Sequence, residues 1–170
     1  MTINTIGCLT QVANFLKVHP GKINLNSNSL PVRVANNSTT TGFIAIIFDL
    51  LNHSNLSLGN LQDKAEIRQW LEYALVYAIN CEGSSGIQQV LKELNAVLST
   101  RTYLVTSNVS IADVVLFYIL YHIIANLSYL DKERYIHVSR WYDNLQQDAN
   151  LRQKNKIIDF NTNYLICVKH

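Results

Sequence analysis

The stretch SIADVVLFYILYHIIANLSYL, Ser110 to Leu130, constrains this chain more than any other, because it carries no formal charge from Val114 onward. A run so apolar must leave water, either across a membrane or inside a core. Crossing a bilayer core about 30 Å thick takes roughly 20 apolar residues, whereas Ile111 to Ala125 makes only about 22 Å of helix at 1.5 Å per residue. Tyr118, Tyr121, His122 and Asn126 interrupt the run, and Asp113 stands near its start. A buried core helix follows, with His122 expected inside it, and no membrane is expected as a partner. Ser110-Ile111-Ala112-Asp113 reads as a capping box: the serine oxygen accepts the N–H of Asp113, and the carboxylate reaches back to the N–H of Ser110. Val109 and Val114 are spaced for a hydrophobic staple. These roles are structural, and Asp113 needs no catalytic reading.

The rest of the composition agrees with a well-packed interior. With 48% hydrophobic and 15% charged residues, 170 residues suffice for one compact domain or two small lobes sharing an interface. The net charge of +2, with basic residues scattered except for Arg152, Lys154 and Lys156 at what reads as a solvated helix end, argues against direct nucleic-acid binding. Cys8, Cys81 and Cys167 form no CxxC pair, so a reducing, cytoplasmic home is expected. MTINTIGCLTQVANFLKVHPGK lacks a basic stretch followed by an uninterrupted apolar core and a cleavage site, so no secretory signal is expected. The histidines at 19, 53, 122, 137 and 170 show no metal-ligand spacing, and no glycine-rich phosphate loop occurs, so neither metal nor cofactor is expected.

Periodicity supplies the elements. Ile6, Leu9, Val12, Ala13 and Leu16 predict a first helix ended by His19-Pro20-Gly21, with no room for a strand before it. KINLN and LPVRVAN alternate around NSNS as two short strands, Pro31 opening the second. From Thr41 the set Phe43, Ile46, Ile47, Leu50 and Leu51 predicts a second helix on that sheet. Beyond Gly59 the signal is helical throughout. One stripe is Ile67, Trp70, Leu71, Ala74, Tyr77 and Ala78, and another is Ile87, Val90, Leu91, Leu94 and Leu98, with GSSG at 83–86 as the turn between them. Ile136, Trp141 and Leu145 are expected buried on a later helix, and a weak strand signal, YLICV, closes the chain. The fold class is therefore α+β: a short lobe over 1–57 and an all-helical lobe over 58–170.

Several of these segments resemble the glutathione transferase superfamily. They are Gln69 to Tyr73 (QWLEY), Tyr103-Leu104, the Ser110 to Asp113 box and Ser139 to Leu145 (SRWYDNL). LPVRVANN occupies the place of that superfamily's proline-bearing strand, and Thr106 stands where many relatives have glycine. The resemblance covers about 60 to 165 and implies a reduced, degenerate thioredoxin-like lobe lacking the first strand, followed by the superfamily's helical domain. Catalytic relatives place an activating Tyr, Ser or Cys before the first helix. Here only Thr2, Thr5 and Cys8 are available, and Cys8 falls within the helix as a packing residue. Where relatives hold the γ-glutamyl end of glutathione with an acid and a serine, this chain has Gly42-Phe43. Neither residue offers the charge or the hydroxyl, so no enzyme is expected.

Among superfamily members, LGNLQDKAEIRQWLEYA, YLVTSNVSIADVVLFY and YIHVSRWYDNLQQDANLRQ are most similar to the non-catalytic scaffold members of the multi-aminoacyl-tRNA synthetase complex. That resemblance implies a scaffold supporting translation, with two partner surfaces. One, on the 41–52 and 61–80 helices and including Arg68, would meet the similar domain of methionyl-tRNA synthetase. The other, on the SRW helix, would present Arg140 to the similar domain of glutamyl-prolyl-tRNA synthetase. The resemblance also carries a nuclear role after DNA damage. Two alternatives stay open: a divergent glutathione transferase, and an elongation-factor complex subunit of the same fold.

Overall fold

A computed structural model describes residues 5–35, 38–56, 58–81 and 83–160. Thr2, Cys167, the YLICV signal, and Ser57 at the expected lobe boundary lie outside the described residues. Helix α1 (Thr5–Phe15) buries Cys8, Leu9, Val12 and Ala13 as one stripe. It stops at Lys17, whose φ of 56° is left-handed, with Val18 N–H returning to Ala13 O.

Strands β1 (Lys22–Leu25), β2 (Pro31–Ala35) and β3 (Ser38–Thr41) make one antiparallel sheet in that order. Lys22 lies opposite Val34, and Val34 opposite Thr39. Gly21 must be glycine: its φ is 70°, and a Cβ there would stand 2.5 Å from Val34 O. Two strands were expected, and the third corrects that reading. The β-branched run Thr39–Thr41 suits a pleated edge, so α2 begins at Phe43 and not at Thr41 (Phe43–Asn52). Gly42, at φ 103°, separates the two elements. The sheet also faces inward through Pro31 and Arg33 while Val34 stays 46% exposed, because Arg33 finds a carboxylate inside.

Helix α2 buries the anticipated Phe43, Ile46, Ile47, Leu50 and Leu51. Helix α3 (Leu61–Tyr73) is opened by an Asn60–Asp63 capping box and widens into a π-helical turn over Ala74–Ala78. A π turn shifts the helical phase by about one residue, which carries Tyr77 to the surface against expectation while Ala78 stays buried. GSSG is likewise not a turn but the first turn of α4 (Gly83–Leu98). A helix's opening turn tolerates Ser and Gly because its N–H groups have no intrahelical partner.

Helix α5 (Ile111–Ala125) is the expected core helix, with Ile111 through Leu120 buried on every side. It packs against α1, α3 and the π turn, so both lobes share one core. No helix among the described residues is long and apolar enough to cross a membrane. His122, expected in the core, is exposed, because it lies on the outward side of the last turn of α5, whose Ile124 stays buried. Helices α6 (Tyr129–Arg134), α7 (Ile136–Gln146) and α8 (Ala149–Arg152) complete the fold. Trp141 and Leu145 are buried as expected, but Ile136, the first residue of α7, is 53% exposed.

Candidate functional site

Three regions carry the candidate chemistry. The first is the corner where α1, β2 and the start of α2 meet. Thr5 opens α1, and Cys8 sits one turn inside it at 4% exposure. Burial pushes the Cys8 thiol up from 9.0 to about 12, so it stays protonated and unreactive at neutral pH. At α2, the backbone N–H of Gly42 donates to Pro31 O at 2.8 Å, and no side chain caps the helix. Phe43 is buried and packs into the core. The corner supplies neither an acid nor a hydroxyl from 42–43. Among the described residues no group of His, Cys, Asp and Glu is arranged to hold a metal ion.

The second region is the start of α5, where the structure brings Ser110 and Asp113 together as the predicted capping box. Asp113 Oδ2 accepts Ser110 N–H at 2.9 Å and its hydroxyl at 2.6 Å. Its Oδ1 accepts Leu104 N–H at 3.0 Å and Trp141 Nε1–H at 2.9 Å. With no exposure at all, this carboxylate ties the α5 N-terminus, the loop before it and α7 into one buried knot. Val109 is exposed. Thr106, in the family's glycine position, folds its loop locally: its hydroxyl donates to Asn108 O and accepts Asn108 N–H.

The third region is the outer surface of the helical lobe. Arg68 lies exposed on α3, its Nε donating to Glu72 Oε1 at 3.2 Å. Leu61 and Val76 flank it along the same helix at 84% and 55% exposure. Arg140 is exposed on α7, yet anchored: Nη2 donates to Leu98 O at 2.7 Å and Arg101 O at 2.8 Å. A guanidinium suits the negative end of α4, where carbonyls lack intrahelical partners. Arg68 and Arg140 share no partner.

Sequence reasoning missed the groove between α3 and the end of α4. It measures about 370 Å³ and is lined by Glu66, Gln69, Trp70, Tyr73, Val97, Thr100 and Arg101. Trp70, expected in the core, is only partly buried and opens onto this groove. Its ring meets Tyr73 edge-on at 5.4 Å. Tyr73 donates its hydroxyl to Glu93 at 2.7 Å, and burial together with that carboxylate pushes its ionisation upward. Arg101 pairs with Glu66 across the rim. The signal was present in Trp70, Tyr73 and Tyr77, aromatic residues three and four apart on one helix.

Several known proteins are similar to this chain. The model of the family described as the nuclear-export cofactor Arc1p matches residues 63–149. Human eukaryotic translation elongation factor 1 epsilon-1 is 33% identical over 145 residues, covering 83% of this chain and 83% of that protein. The bifunctional glutamate/proline–tRNA ligase of Cricetulus griseus is 28% identical over 140 residues, covering 82% of this chain but 8% of that protein. In fold, the chain superposes on the glutathione-transferase-like domain of elongation factor 1-gamma from Saccharomyces cerevisiae. The TM-score is 0.63 at 17% identity, covering 93% of this chain and 92% of that one.

Proposed function

Because this chain belongs to the eukaryotic translation elongation factor 1 epsilon-1 family, within the glutathione-transferase-like superfamily, we propose that it is a non-catalytic adaptor that joins aminoacyl-tRNA synthetases. The observation that carries this reading is the contrast between the two lobes. Among the described residues the helical lobe packs around the Ser110–Asp113 knot, while the corner that would hold glutathione offers Gly42, a buried Phe43 and a protonated Cys8.

Two partners follow from the family. The outer faces of α2 and α3, with Arg68, meet the glutathione-transferase-like domain of methionyl-tRNA synthetase. Helix α7, with Arg140, meets that of glutamyl-prolyl-tRNA synthetase, a protein whose counterpart in Cricetulus griseus this chain itself resembles. Anchoring of one guanidinium nitrogen on the last carbonyl of α4 and on Arg101 O beyond it supports the second assignment, since a pre-oriented planar cation loses little entropy on stacking or on meeting a carboxylate. The adaptor works in the cytoplasm, and the family's nuclear role after DNA damage extends to it.

Purified chain mixed with each synthetase domain at micromolar concentration should elute as a complex. Arg140→Ala should abolish one complex and Arg68→Glu the other. Absence of both complexes would refute the adaptor reading, and saturable glutathione binding by calorimetry would refute its non-catalytic half.

A further inference from the structure

The charged residues of the first 57 are Lys17, Lys22, Arg33 and Asp49: three cations and a single acid. Folding gathers two of the cations and two histidines around one cavity. It measures about 300 Å³, lies where the α1–β1 turn meets β2 and the end of α2, and is lined by Lys17, Val18, His19, Arg33, Ala35 and His53. We propose that this cavity is an anion site that takes a phosphate group, on Lys17, His19, Arg33 and His53.

The central cation is built in rather than left over. Arg33 is 3% exposed, and each of its nitrogens is tied: Nε to Pro20 O at 2.9 Å, Nη2 to His19 O at 2.9 Å, Nη1 to Asp49 Oδ2 at 2.5 Å. A guanidinium has five N–H groups in one plane. Three anchors therefore fix its orientation and leave two donors for a ligand, with little ordering entropy left to lose on binding. Asp49 is the sole carboxylate of the segment, and it lies behind Arg33, bonded also to Thr40 Oγ1 at 3.3 Å. No carboxylate lines the cavity, so an anion entering it meets cations and imidazoles.

Hydrogen bonds also settle how the imidazoles face. His19 Nδ1 accepts Gly21 N–H at 3.0 Å, so the ring proton sits on Nε2. His53 Nδ1 contacts Asp49 O at 2.8 Å, and a carbonyl only accepts, so that nitrogen carries a proton. Asp49 Oδ1 lies 3.8 Å from the same nitrogen. Lys17 is held at φ 56° although glycine is the residue that conformation favours. Lys22, opposite Val34 in the sheet, is the remaining cation nearby. Guanidinium, ammonium and imidazole N–H donors around one small cavity match the several acceptor oxygens of a phosphate better than the two of a carboxylate.

The test needs no synthetase, so it stands or falls apart from the adaptor reading. The full-length chain, labelled with ¹⁵N, is titrated with inorganic phosphate, with sulfate and with a nucleoside monophosphate, against chloride at equal ionic strength. Saturable shifts of the Val18, Gly21 and His53 amides are expected. Lys17→Ala and His53→Gln, both at exposed positions, should each weaken binding by roughly tenfold. Sulfate, which offers the same tetrahedral set of acceptor oxygens, should shift the same amides. Tighter binding of the nucleotide would identify a phosphate carried on a larger ligand, and equal binding the free ion. Shifts that chloride reproduces, or binding undiminished in the Lys17→Ala/His53→Gln double variant, would overturn the proposal.

Discussion

Asp113 is the residue on which the helical lobe turns. Its two oxygens accept four buried donors, from Ser110, Leu104 and Trp141. Each donor left unpaired in the core costs about 1–3 kcal/mol. Asp113→Ala should therefore lower the stability by about 3–5 kcal/mol in urea unfolding, and partner binding should fall only with the folded fraction. Asp113→Asn should recover part of this, since Oδ1 can still accept from Leu104 and Trp141 while its amide opposes the donors of Ser110. A stable, folded Asp113→Ala chain that failed to bind a synthetase would contradict the structural role. The Ser110–Asp113 half of this knot was legible because capping is local, three residues apart. The Trp141 half was not, because 28 residues of chain separate the partners.

At the scale of elements, boundaries were less legible than faces. The buried stripe of α2 was read correctly to the residue, because amphipathic spacing survives whatever lies next to it. The π turn after α3 was invisible, and its phase shift moved Tyr77 outward. Gly21 offers a sharp test of the sheet. Gly21→Ala forces a Cβ against Val34 O at positive φ, so β1–β2 pairing should loosen and stability fall by more than about 1 kcal/mol, with faster amide exchange in β1. Helix α7 offers another. Arg140→Lys keeps a cation near the open carbonyls of α4 but loses the planar fork. The change in folding stability should stay within about 1 kcal/mol, while binding to the glutamyl-prolyl-tRNA synthetase domain, the partner proposed for this face, should weaken clearly in calorimetry. Equal binding by the lysine variant would remove the guanidinium from that interface.

Over the whole molecule, burial of acids that ionise at high pH sets a limit to stability. The Cys8 thiol is raised from 9.0 to about 12 by burial, and burial likewise raises Tyr118 and Tyr142. Between those two Cys8 values the unfolded chain has released its thiol proton and the folded chain has not. The unfolded state then binds fewer protons, so stability falls as pH rises. The urea midpoint should be flat below about pH 8 and decline above about pH 9, and Cys8→Ala should flatten part of that decline. Mass-mapped alkylation at neutral pH should spare Cys8 in the folded chain and modify it after unfolding. Rapid native labelling of Cys8 would place it outside the core.

Much of what short separations and apolar pattern govern was determined by the sequence itself. This includes the α+β class, the core helix too short to span a bilayer, its capping box, and the absence of an acid or hydroxyl side chain at 42–43. Tertiary structure alone decided which polar groups were worth burying. Arg33 turns inward and Val34 outward because Asp49, sixteen residues later, lies beneath the sheet. Trp70 opens onto a groove because the end of α4 leaves space beside it. Arg140 is oriented by two carbonyls that only folding brings within reach. A buried charge is tolerable only where partners converge, and convergence across tens of residues is a property of packing that no local pattern encodes.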